Sequence, residues 1–222
     1  MEKPLFPSKV IRITQGYNEG THKSSFAIDN ADKDTGISNV YAPFTGVIKK
    51  IYKNDANEVW LESIEPVLYP DGTVDYMTML FAHDNNVDDL FVGKRIKQNE
   101  VFYHEGTKGN VTGNHCHIEC GKGRFINTGW YKNNAGYWSI NNGKRPEECL
   151  WIDDSIKIID SHGYNFKKIV KEIAEKPSTI PQVEVKKEVE VKKKSKEFIA
   201  PKTDLYGIYL KEKQKVIIED LG

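Results

Sequence analysis

The stretch GNVTGNHCHIECGKG (109–123) brings His115, Cys116 and His117 together, with Cys120 close behind. Imidazole and thiolate are the usual donors to zinc, so this is a candidate metal site. In an extended strand, neighbours point to opposite faces and residues two apart share one. His115 and His117 then project together, roughly 6–7 Å apart at the backbone, while Cys116 points away from both. Two imidazoles on one face can share a metal, or one can bind it while the other reaches a water beside it. A catalytic zinc takes three protein ligands and leaves its fourth position open. The remaining donors must therefore come from elsewhere in the chain.

There are six histidines. His104, in FYHEGTKG, and His162, in DSHGYN, read as exposed loop residues. His22 lies in GTHKSSFAIDNAD, after a glycine-containing turn, and Asp29 ends the apolar run FAI. A carboxylate carried inward by an apolar strand needs a partner, because an unpaired buried charge is costly; a metal is one such partner. His22 and Asp29 are an odd number of residues apart, so the chain between them must loop or bulge for both to converge. His83 closes the alternating strand VDYMTMLFAH. Its face is that of Met77, Met79 and Phe81, so it reads either as a satisfied core histidine or as a site residue. Cys116, Cys120 and Cys149 form neither a disulfide framework nor a zinc-ribbon pair and read as free, partly buried thiols.

The elements that must position these residues are short. NVYAPFTGVIKKIY, EVWLESI, VDYMTMLFAH, RIKQNEVFYHEG and HCHIECG alternate with period two between turns such as NDAN, YPDG and TKGNVTGN. Turn residues at ~10-residue spacing predict an antiparallel β-sheet with no helical crossovers. Residues 125–152, bearing Trp130, Tyr131, Tyr137, Trp138 and Trp151, predict a long ordered loop or small hairpin, either lining a groove or covering a sheet edge. Phe166, Ile169, Val170 and Ile173 have helical spacing within 164–176 and predict an amphipathic helix on the first domain. Residues 177–197, with two prolines and a lysine run, predict a solvated spacer or a patch for wall polymers. Residues 198–222 are too short to stand alone and could belong to a wall-binding module.

The expected organisation is thus a domain over 1–160, a helix over 161–176, a linker over 177–197 and a terminal segment over 198–222. The 222 residues carry 32 Lys and Arg against 32 Asp and Glu. That balance leaves no global footprint for nucleic acid. No run of about 18 apolar residues exists to insert in a membrane. The opening MEKPLFPSKVIRITQGYNEG lacks a signal-peptide apolar run, so synthesis in the cytoplasm is expected.

The order His22, Asp29, APFTGVI (42–48), a strand ending in His83, and GNVTGNHCH resembles the lysostaphin-like, LytM-type zinc metalloendopeptidases, in particular the peptidase domains of phage and prophage endolysins. The resemblance covers about residues 10–125. Its G-N-x-T-G-x-H-x-H and A-P-x-x-G-x-V/I stretches are specific in combination. It implies a mainly β, antiparallel core of duplicated, hybrid-motif-like barrel or sandwich form. It implies Zn2+ on His22, Asp29 and His117, with His115 as general base or acid and His83 orienting or polarising the reacting groups. The six residues between His22 and Asp29 resemble a phage variant rather than the family's three-residue form. The implied substrate is peptidoglycan, reached through holin-type release or from a virion.

This donor set is chemically coherent. Two neutral imidazoles and a carboxylate leave about +1 on zinc, which lowers the pKa of water and polarises a carbonyl. A histidine near pKa 6.5 can take the water's proton and return it to the leaving amine, and an unligated histidine could donate to the developing oxyanion. Three rivals compete. A lipoyl-type carrier needs a lysine at a tight turn and leaves the histidines unexplained. A catalytically inactive relative serving as a wall-binding, virion structural or activator protein would be expected to lack ligands, and this set is complete. A pure wall-binding module does not account for the first 125 residues.

Overall fold

The architecture, taken from a computed structural model describing residues 1–32 and 36–170, is dominated by short strands. The largest sheet has nine strands. Across it the order is Lys157–Asp160, Val10–Gln15, Ile28–Asn30, Cys116–Lys122, Met77–Ala82, Glu58–Ser63, Gly46–Tyr52 and Arg95–Ile96; Gly143–Lys144 pairs separately with Cys116–Lys122. All its pairings are antiparallel except that of Lys157–Asp160 with Val10–Gln15. The mainly β, antiparallel fold expected from the alternating pattern is the one observed.

Both faces of the central strands are covered, so every residue of Glu58–Ser63 and Met77–Ala82 is buried. Alternation divides them between two cores. Val59, Leu61, Met77, Met79 and Phe81 enter the larger one with Ile11, Ile28, Ile48 and Phe44. Trp60 and Leu80 face the other way and pack with Ile140, Phe125 and Trp130. Each fully buried Leu, Ile or Phe side chain contributes about 1.5–3 kcal/mol through removal from water.

The aromatic stretch after residue 124 supplies the lid of this smaller core. Trp130–Lys132 and Trp138–Ile140 pair as an antiparallel hairpin. Its turn is closed by Asn133, whose Oδ1 accepts from the amides of Ala135 and Tyr137 at 3.0 and 3.1 Å. A single α-helical turn, Pro146–Cys149, follows; the sequence pattern did not predict it.

The helix expected over 164–176 does not form in its described part. None of residues 164–170 is helical, and Lys167–Lys168 pair in parallel with Trp151–Ile152. Phe166 is buried edge-on against Phe6, and the Ile169 amide donates to the Ile152 carbonyl at 2.8 Å. A short helix is marginal without tertiary packing. Here an open strand edge and an aromatic socket satisfy the same residues without a helix. The rest of that helix, the linker over 177–197 and the segment over 198–222 lie outside the described residues.

Candidate metal centre

Asp29 and His117 face each other in the register of two adjacent strands, so their side chains leave the same face of the sheet. His117 Nδ1 lies 3.0 Å from Asp29 Oδ1. His22 reaches them from a tight loop. The turn Gly20–His22 and positive φ angles at Asn18 and Ser24 fold the chain back, which accommodates the odd spacing between His22 and Asp29. His22 Nε2 stands 3.2 Å from His117 Nδ1 and 3.2 Å from Asp29 Oδ1. Three donor atoms from three separate segments thus close a small triangle, and these residues form a group that could hold a metal ion.

The hydrogen-bond surroundings fix how each ring is presented. His22 Nδ1 donates to the Gly16 carbonyl at 3.1 Å, which leaves the Nε2 lone pair facing the triangle. His117 is held at its other nitrogen by Glu119 Oε1 at 3.3 Å. Burial alone would lower the His117 pKa, but Asp29 and Glu119 outweigh it and push it up to about 10. Burial would likewise raise the Asp29 pKa, yet the hydrogen bond from His117 and the charge on that ring hold its carboxyl well below the usual range. With its Nδ1 hydrogen given to Gly16, a neutral His22 sets its Nε2 lone pair 3.2 Å from Asp29 Oδ1. Such a contact calls for a cation.

His115 and His83 stand beside the triangle without joining it. His115 Nδ1 donates to the Gly113 carbonyl at 2.9 Å, and its Nε2 is 3.6 Å from Asp29 Oδ1. The His83 and His115 ring centroids are 4.7 Å apart, and His83 lies 5.9 Å from His117. Strand alternation had put His83 on the core face with Phe81. The strand ends at Ala82, and His83 has a φ of 89°, which breaks the alternation and brings its ring to the site. A positive φ is uncommon outside glycine and strained for a bulky side chain. His83 Nδ1 donates to the Lys108 carbonyl at 2.7 Å. Burial, reinforced by the positive charge at His117, pushes its pKa down to about 4.

Gly106 lies against the backbone of both of these residues. It exchanges two backbone hydrogen bonds with His115, at 3.0 and 3.2 Å. A Cβ on Gly106 would overlap the His83 carbonyl oxygen. The cysteines take no part. Cys116, Cys120 and Cys149 are buried in the larger core, and burial raises the Cys116 and Cys120 thiol pKa values well above the ordinary range. His104 ends a strand and binds Asp84 at 3.1 Å; His162 binds Glu19 at 2.8 Å.

The residue that sequence reasoning missed is Glu119. It is 3% exposed, and its Oε2 accepts from the Ile140 amide at 3.0 Å while Oε1 holds His117. The signal was present, since period-two alternation extends the His115, His117 face to Glu119. A buried carboxylate behind a metal-binding imidazole fixes its tautomer and raises its basicity. Through Glu119 and Ile140 the aromatic hairpin is tied to the site. A second tie runs from Asn133 Nδ2 to the carbonyls of Lys23 and Ser24, at 3.1 and 3.3 Å.

No family model matches the chain. Over 174 residues it is 36% identical to Morphogenesis protein 1 of Bacillus phage B103, covering 73% of this chain and 43% of that protein. The chain thus spans less than half the length of this curated relative. A zinc-containing peptidase from Vibrio cholerae is 19% identical, with a TM-score of 0.41 over 55% of this chain and 37% of that one. The catalytic domain of lysostaphin from Staphylococcus simulans is 18% identical, with a TM-score of 0.40 over 61% of this chain and 89% of that one. Likeness to solved structures at this level identifies neither a family nor a function, so the assignment rests on the residues themselves.

Proposed function

We propose that the chain is a zinc-dependent endopeptidase of the lysostaphin-like type that hydrolyses peptide bonds in bacterial peptidoglycan, serving a phage or prophage as an endolysin. The observation that carries this reading is the triangle of His22 Nε2, Asp29 Oδ1 and His117 Nδ1, with edges of 3.0, 3.2 and 3.2 Å. Tetrahedral bonds of about 2.0–2.1 Å require ligand separations of about 3.3 Å, so the triangle fits zinc with a slight expansion. Two imidazoles and one carboxylate also suit zinc better than magnesium or calcium, which prefer all-oxygen shells.

Zinc held there would supply Lewis acidity toward water and a peptide carbonyl. The protein's own groups do the rest. His115 spends its Nδ1 hydrogen on Gly113 and keeps the Nε2 lone pair toward the site. It is placed to take a proton from attacking water and hand it to the leaving amine. His83 is neutral above about pH 4 and spends its hydrogen on Lys108. In that tautomer it accepts a hydrogen bond at Nε2 and orients water or substrate, and it cannot donate to an oxyanion until it gains a proton. Glu119 and Gly16 keep the ligand rings in their binding tautomers.

A second reading is a catalytically inactive wall-binding, virion structural or activator protein; the curated relative's name, a morphogenesis protein, fits a role in virion assembly. Paired variants separate the two. His117→Ala should abolish both zinc retention and cleavage of purified walls. His115→Ala should keep zinc and lose about 10²–10⁴-fold in rate, the usual contribution of general acid–base catalysis. A wild-type protein that binds zinc and cuts nothing supports the virion reading; loss of zinc from His115→Ala means that the two roles are exchanged.

A further inference from the structure

The metal-binding loop is held from outside by residues that follow the expected domain. Gly16, whose carbonyl fixes the His22 tautomer, sits beneath Tyr164 and His162. A Cβ at Gly16 would overlap the Tyr164 hydroxyl and come within 2.7 Å of the His162 ring. The Tyr17 amide donates to that hydroxyl at 3.1 Å, and the Tyr17 and Tyr164 rings stack at 4.4 Å, 8° from parallel. His162 Nε2 meets Glu19 Oε1 at 2.8 Å, and Glu19 Oε2 accepts from the Gly16 amide at 3.1 Å. Glu19 in turn gives its carbonyl to the His22 amide at 2.6 Å. Residues 161–164 form a turn of their own, closed by a Tyr164 amide to Ser161 carbonyl bond of 2.9 Å. They follow the Lys157–Asp160 strand, which lies beside the strand leading into Gly16.

We infer that Tyr164 and His162 are positioning residues for the metal ligand His22: residues 161–164 act as a strap that clamps the 16–22 loop and so sets metal affinity. Apart from the bond that closes the strap's own turn, every bond in this chain of contacts ends on the 16–22 loop, and none touches His117 or Asp29. Relaxing the strap frees the Gly16 carbonyl to move, and His22 then loses its bias toward the Nδ1–H tautomer. An outer partner of a metal-ligating histidine is worth about 10–100-fold in affinity.

The test uses the full chain, with His22 side-chain 15N shifts in metal-free protein and the zinc Kd by competition titration. Tyr164→Phe keeps the ring stack and deletes the hydroxyl. It should move the His22 nitrogens toward tautomer averaging and weaken zinc about 10–100-fold, with an unchanged near-UV circular dichroism spectrum. His162→Ala, on the exposed side of the strap, should shift both readouts the same way, and His162→Gln should restore them by keeping a donor to Glu19. Wild-type shifts and Kd in Tyr164→Phe overturn the inference, and if that variant misfolds, the His162 pair decides alone. The inference depends on the metal-site reading only for the Kd. A wild-type chain that takes up no zinc defeats that reading, while the nitrogen shifts still decide the strap.

Discussion

In the proposed role a proton and a metal compete for one place at His117. Its pKa is pushed up to about 10, so the metal-free ring is charged at neutral pH, whereas coordination needs the neutral ring. Zinc uptake at pH 7 should therefore release about one proton, measurable by calorimetry in buffers of different ionisation enthalpy. Apparent affinity should rise about tenfold per pH unit from pH 7 toward 10 and then level; a flat profile would contradict the assignment of His117 as ligand. The sign for the metal-free fold is the opposite. A raised histidine pKa stabilises the fold fully below about 6.5, and the contribution is lost as pH climbs through about 10. Metal-free protein should thus unfold at lower denaturant at pH 10 than at pH 6.

At the scale of elements, each site residue depends on a neighbour that does not bind metal. Glu119 links the His117 strand to the hairpin, so Glu119→Gln should weaken zinc about 10–100-fold while leaving His115 and His83 in place. Gly106→Ala should do the reverse. It forces the His83 carbonyl and the His115 bridge apart, so zinc content should hold while kcat falls, on the order of 10²-fold for a shift of about 1 Å. Zinc loss in Gly106→Ala would show the two functions to be inseparable. Several of these elements were readable in advance. Alternation placed His115 and His117 on one face, sent Cys116 to the other and outlined the sheet. It failed at His83, because one positive φ reverses a face and leaves no mark in the residue types. It failed at 164–170, where helical spacing was outweighed by an edge strand and the Phe6 socket. Glu119 is legible by the same period-two rule, as the next residue on the His115 and His117 face. The strap was not legible, because it joins segments more than 140 residues apart.

For the whole molecule, the candidate metal centre is a junction of segments distant in sequence, and in the proposed role its occupancy should be felt globally. A ligand at 100 times its Kd stabilises the native state by about 2.7 kcal/mol. At about 2–4 °C per kcal/mol for a chain of this size, saturating zinc should raise the melting temperature by roughly 5–10 °C, and His117→Ala should show no such rise. Among the described residues no helix is long and apolar enough to cross a membrane. In the proposed role a zinc ion on His22, Asp29 and His117 drives peptide hydrolysis in the wall. The measurement that tests it most directly is the count of new amino termini released from purified peptidoglycan, by protein stripped of zinc and by the same sample after zinc is restored. Release is expected only with zinc present, with no new reducing sugar ends. Undiminished release after complete zinc removal would contradict it.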